Sequence, residues 1–121
     1  MDNPQRATVA FLCGCLHSSQ KKIMHNGVQD YARGIFVPCS FTNQGGHISV
    51  FDHQRSCYLS GFSQSFFDYG FSQYITLIKV NDNLFSVYDF KTNTYLSVTC
   101  NGDAVTIFDY ATSKYYNYQL N

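Results

Sequence analysis

Five aspartates recur in one setting along this 121-residue chain, and each is followed at once by a planar side chain. The stretch "IFDYATSKYYNY" (107–118) aligns with "VYDFKTNTYLSV" (87–98), "VFDHQRSCYLSG" (50–61) and "FFDYGFSQYITL" (66–77), and more loosely with "VQDYARGIFVPC" (28–39). The shared aspartates are Asp30, Asp52, Asp68, Asp89 and Asp109, and the residues after them are Tyr31, His53, Tyr69, Phe90 and Tyr110. Planar faces repeated on loops at one rim can stack on sugars, bases or partner side chains. Arg33 and Arg55, two positions further on in two copies, offer forked donors to an anionic group. The candidate ligand-binding set is therefore Tyr31, Arg33, His53, Arg55, Tyr69, Phe90 and Tyr110. Against it stands a plainer reading, in which the aromatics pack on neighbouring hairpins as a rim core.

Other chemistry has less support. The chain has no Glu, and its remaining acids are Asp2, Asp82 and Asp103, so paired-carboxylate catalysis lacks residues to perform it. "CGCLH" places Cys13, Cys15 and His17 at alternate positions, one face of a strand, whereas on a helix only Cys13 and His17 would be neighbours. No second such pair completes a tetrahedral set, and no flanking signature supports a Cys–His nucleophile. "QGGH" is a turn and not a phosphate-binding loop. No catalytic residue, metal or cofactor is expected.

The elements that position the repeated residues follow from the same alignment. A four-residue hairpin loop is commonly a type I turn followed by a left-handed residue, and an Asp just before it accepts the loop's own amide hydrogens. The fourth loop residue is Gly34, Ser56, Ser72, Asn93 or Ser113; Gly and Asn suit a positive φ better than Ser. Six residues after each Asp comes Phe36, Tyr58, Tyr74, Tyr95 or Tyr115, placed to pair across the hairpin. "ISVFD", "FSVYD" and "VTIFD" alternate as half-buried strands, with Ile48 and Val50, Phe85 and Val87, and Val105 and Ile107 inward. Asn/Gly-rich turns at 43–46, 81–83 and 101–103 alternate with the Asp-led loops.

The chain thus reads as a single domain, 1–121, with a non-repeat segment 1–27 and a meander of hairpins over 28–121. Asn3-Pro4 marks a helix start, with Lys21 and Lys22 near its end and Gly27 closing it, although "ATVAFLCGCL" also suits a buried strand. Tandem hairpins must hide their edges, so the expected fold is all-β, closed into a small barrel, a ring or a β-trefoil-like fold, with an N-terminal helix as its plug. Spacings of 38 and 41 residues between Asp30, Asp68 and Asp109 suit a trefoil period, and the shorter step from Asp52 to Asp68 fits a barrel or ring as well as a trefoil.

Composition narrows the partners. Aromatics form 17% of the chain and charged residues only 13%, with zero formal net charge, which argues against a phosphate-tracking nucleic-acid surface. No run is long enough to span a membrane, and the N-terminal stretch is a poor signal peptide, so a cytoplasmic protein is expected. Five irregularly spaced cysteines read as buried free thiols. The leading expectation is a non-enzymatic, lectin-like module that binds a small polar ligand, a carbohydrate or a nucleotide-like molecule. The alternative is a structural protein that forms a homo-oligomer or docks a partner protein, and a Cys/His enzyme or metal protein comes third.

Overall fold

The computed structural model describes residues 1–18 and 24–121. Among them one helix, α1 (Asn3–Ser18), precedes ten strands: β1 (Gly27–Asp30), β2 (Ile35–Gln44), β3 (His47–Asp52), β4 (Cys57–Phe62), β5 (Ser65–Asp68), β6 (Gln73–Asn81), β7 (Leu84–Asp89), β8 (Thr94–Asn101), β9 (Ala104–Asp109) and β10 (Lys114–Leu120). Each strand pairs antiparallel with its chain neighbour, and β1 pairs with β10 through Val28↔Leu120, so the sheet closes into a barrel. Closure removes both free edges, and of the three expected arrangements the barrel is the one formed.

Alternation along the strands decides what faces inward. Val50, Leu59, Phe66, Ile75, Phe85, Val87, Leu96 and Ile107 point into the barrel and are buried. Their intervening neighbours Ser49, Ser60, Thr76, Ser86, Ser97 and Thr106 face out. Helix α1 fills the interior, and its Phe11 and Leu12 are fully buried. A helix apolar on most of its sides has no other stable location. Gly14 lies so close to β10 that an added Cβ would come 2.6 Å from Leu120 Cδ2.

Several local expectations are corrected. Asp2, not Asn3, caps α1: its Oδ1 accepts from the Gln5 amide at 2.9 Å, and its carbonyl accepts from the Arg6 amide at 3.0 Å. Gly27 does not end the helix. It opens β1, where a Cβ would sit 2.4 Å from the Val37 carbonyl oxygen. Lys21 and Lys22 lie outside the described residues. A two-residue turn at Ser63–Gln64, which no Asn/Gly cluster announced, joins β4 to β5 with Ser63 at φ 58°. The four-residue β5 and this tight turn account for the short step from Asp52 to Asp68. No helix among the described residues is long and apolar enough to cross a membrane.

Candidate functional site

All five Asp-led loops lie at one end of the barrel, and each carboxylate works in two directions. One oxygen caps the loop it introduces: Asp52 Oδ1 accepts from the Gln54 and Arg55 amides at 2.9 and 3.1 Å, and Asp109 Oδ1 from the Ala111 amide at 2.9 Å. Asp30, Asp68 and Asp89 do the same. The fourth loop residue is left-handed in every copy, with φ between 52° and 66° at Ser72, Ser56, Asn93, Ser113 and Gly34. Serine thus adopts the geometry in three copies despite its weaker preference, because the capping bonds hold the loop in place.

The carboxylates themselves are fully buried, and the second oxygens of Asp52, Asp89 and Asp109 meet the N-terminal end of the chain and of α1. Thr8 Oγ1 donates to Asp52 Oδ2 at 2.8 Å, and Arg6 Nε donates to Asp109 Oδ2 at 3.4 Å. The Met1 ammonium lies 3.3 Å from Asp89 Oδ2. A ring of negative charge around a helix N-terminus complements the positive end of the helix dipole. The Arg6 guanidinium carbon also stands 3.7 Å from the centroid of the Tyr116 ring.

Arg33 and Arg55 belong to this internal cage. Arg33 Nε donates to Asp30 Oδ2 at 2.7 Å, and Arg55 Nε donates to Asp52 Oδ2 at 2.8 Å. Burial opposes ionisation of Asp52, yet bonds from Arg55 and Thr8 outweigh it and hold this carboxyl below its ordinary range. The two arginines therefore turn away from the rim where a ligand would meet them. In both copies the Arg stands three residues after its Asp, the spacing at which the loop brings guanidinium and carboxylate together.

The planar residues after the aspartates do the opposite and face solvent. Tyr31 and Tyr69 are each 60% exposed and Tyr110 is 56% exposed. They do not converge on one point, because two strands separate each from the next around the wall. Four of them sit in a local cluster of three rings. Phe108, the outward residue before Asp109, contacts Tyr110 and Tyr115 edge-on, both at 4.7 Å between centroids. Tyr88 holds Phe90 and Tyr95, Phe67 holds Tyr69 and Tyr74, and Phe51 holds His53 and Tyr58 in the same way. The first copy has Gln29 where the others have an aromatic, so Tyr31 lacks this support.

Neighbouring clusters meet across the seams between repeats. The Tyr110 amide donates to the Tyr95 carbonyl at 3.2 Å, and the Tyr69 amide to the Tyr58 carbonyl at 2.9 Å. At the β6–β7 seam the register Ile75↔Asp89 puts Tyr74 beside Phe90. Shallow grooves open there. One has Tyr95 and Tyr110 as walls over Ser86 and Ser97, with Asn93 and Thr94 at one end. A second has Tyr74 and Phe90 over Ser65 and Thr76. A third runs beside Phe108, Tyr110 and Tyr115 over Ser97, Thr99 and Thr106. The re-entry tyrosines, whose expected role is hairpin pairing, thus contribute one ring to each groove: Tyr95, Tyr74 and Tyr115. The other two seams are offset: His53 bonds to Pro38 and Tyr31 to Asn117.

The remaining sequence candidates lie elsewhere. Cys13 and Cys15 are buried in the core on α1. Burial pushes the Cys15 thiol up to about 12 and the Cys13 thiol well above its ordinary value. His17 Nδ1 lies 2.9 Å from the Asp82 carbonyl oxygen at the far end of the barrel. Among the described residues no three His, Cys, Asp or Glu side chains are grouped to hold a metal ion. Comparison with family models, curated proteins and solved structures gave no match to this chain.

Proposed function

We propose that the outer wall binds a neutral saccharide and that the protein is a non-enzymatic, lectin-like binding module. The observation that carries this reading is the paired aromatic walls over hydroxyl floors, as where Tyr95 and Tyr110 flank Ser86 and Ser97. A pyranose has apolar C–H faces that stack on aromatic rings and equatorial hydroxyls that exchange hydrogen bonds with Ser, Thr and Asn. Aromatic walls with a few placed polar groups are the usual make-up of small-molecule sites. A nucleotide-like ligand fits less well, since Arg33 and Arg55, the forked phosphate partners it would need, are committed to Asp30 and Asp52.

The test is titration with neutral mono- and disaccharides, followed by amide chemical shifts and calorimetry, with nucleoside monophosphates as the comparison. Shifts centred on Tyr95, Tyr110 and Ser97, abolished by Tyr110→Ala, are expected. Silence across the saccharide panel, or stronger binding of the nucleotides, would sink the reading.

A second reading, docking of a partner protein or of another copy, draws on the opposite end of the barrel. There Phe62, Ile78 and Val80 are exposed where β6 outruns the short β5. Sedimentation of the free protein distinguishes it: a monomer at all accessible concentrations removes the self-association form.

A further inference from the structure

We propose, on the basis of the saccharide reading above, that the wall is multivalent and that its natural ligand is a flexible neutral polysaccharide held at several grooves at once. Three aromatic-walled grooves lie between β5 and β10 among the described residues, one at the β6–β7 seam and two flanking the β8–β9 seam. Tyr110 is a wall of two of them, and Ser97 is part of the floor of the same two. The repetition follows from the fold, because four of the five hairpins bring an outward aromatic before the Asp, a planar ring after it and an aromatic on re-entry.

The size of each groove explains why several are needed. Each is open to solvent and walled by two or three rings, enough to stack one or two sugar units. A single stack of this kind binds weakly. Linking units so that the second groove is filled by the same molecule raises overall affinity by about 10²–10⁴ without any new contact. The β6–β7 and β8–β9 seams are two strands apart, roughly 9–10 Å at the backbone given a strand spacing of 4.7–4.9 Å, and the two grooves at the β8–β9 seam adjoin. This distance lies within reach of a short run of linked pyranoses. The grooves also turn around a cylinder, so a rigid linear ligand seated in one points away from the next, and a flexible or branched chain is selected. Neutrality of the ligand follows from the lining, which contains no Asp, Lys or Arg in any of the three grooves.

The experiment compares one sugar type as monosaccharide, hexasaccharide and soluble polysaccharide, using glucose-, mannose- and N-acetylglucosamine-based series. Amide shifts with the monosaccharide are expected at all three grooves, and the polysaccharide is expected to bind at least about 100-fold more tightly per chain. Ser97→Phe fills the shared floor and is expected to abolish two of the three sites and most of the polysaccharide gain, while shifts at Tyr74 and Phe90 persist. If that variant unfolds, Tyr110→Ala removes the shared wall from an exposed position and makes the same test. Monosaccharide binding with no gain for the polysaccharide, or at one groove only, would overturn multivalency and leave the saccharide reading standing. No binding of any sugar, with sedimentation showing self-association that protects Tyr95 and Tyr110, would overturn both and assign the wall to a second copy of the chain.

Discussion

Arg55 reaches out of its own hairpin, its Nη1 lying 3.3 Å from both carboxylate oxygens of Asp68 in the next. The same guanidinium donates to Asp52 at 2.8 Å and through Nη2 to Thr8 at 2.9 Å. One side chain therefore joins two hairpins and the helix that fills the barrel. Removing it leaves two buried carboxylates without their cation. Arg55→Ala is expected to destabilise by about 3 kcal/mol or more, the cost of breaking a buried ion pair from one side. Arg55→Lys should recover only part, since one ammonium cannot replace a fork. Urea unfolding midpoints of the three proteins check this.

Acid should unfold the protein through the same cage. Asp52 is held below its ordinary range when folded, so the unfolded chain takes up its proton first. The stability it contributes is present above the unfolded value, near pH 4, and is lost as pH falls through the lower folded value. Unfolding free energy measured across acid pH should decline in that window, and Asp52→Asn should make the decline shallower.

Alkali acts through the thiols with the opposite sign. Burial raises Cys100 to about 11 and Cys15 to about 12. Unfolded thiols ionise near pH 8.5, so above that pH the folded chain holds protons that the unfolded chain has released. Stability should fall steadily from about pH 8.5 upward. A maleimide probe at neutral pH is expected to modify the half-buried Cys57 first, with the other four protected in the native state.

The left-handed serines carry conformational cost that glycine would relieve. Ser56, Ser72 and Ser113 have φ of 53°, 52° and 56°. Ser113→Gly should stabilise by roughly 0.5–1 kcal/mol, and the reciprocal Gly34→Ala should destabilise by about 1 kcal/mol. Thermal or urea unfolding of the pair reads both signs in one experiment.

Gly61 tests strand contact and not backbone freedom. A Cβ there would lie 2.0 Å from the Ser65 carbonyl oxygen and 2.7 Å from Phe66 Cα. Because backbone must move, Gly61→Ala is expected to cost about 2–3 kcal/mol and to disturb the β4–β5 pairing, which amide exchange at Phe66 would report.

The hairpins were legible because Asp, a left-handed residue and an aromatic recur at constant offsets, and each has a local physical cause. The Ser63–Gln64 turn was not, since its serine takes a positive φ that the residue type gives little reason to expect. The spacing of the aspartates left barrel, ring and trefoil open, because repeat length does not encode closure. Closure depends on where β1 meets β10, a pairing of residues about 90 positions apart with no local signature. Arg33 and Arg55 were assigned to the rim because a loop residue is outward by default. Only the helix inside the barrel, with Thr8 and Arg6 beside the carboxylates, gives an inward guanidinium its setting.

Enclosing α1 within a continuous wall also constrains the order of assembly. Every described ladder except β1–β10 joins consecutive strands and can form as soon as its hairpin does. The β1–β10 ladder must bridge the whole meander, and closing it encloses the helix. That seam is a latch, and the helix is the cargo it locks in. Pulse-labelled exchange during refolding should therefore show Val28 and Leu120 gaining protection after the hairpin amides.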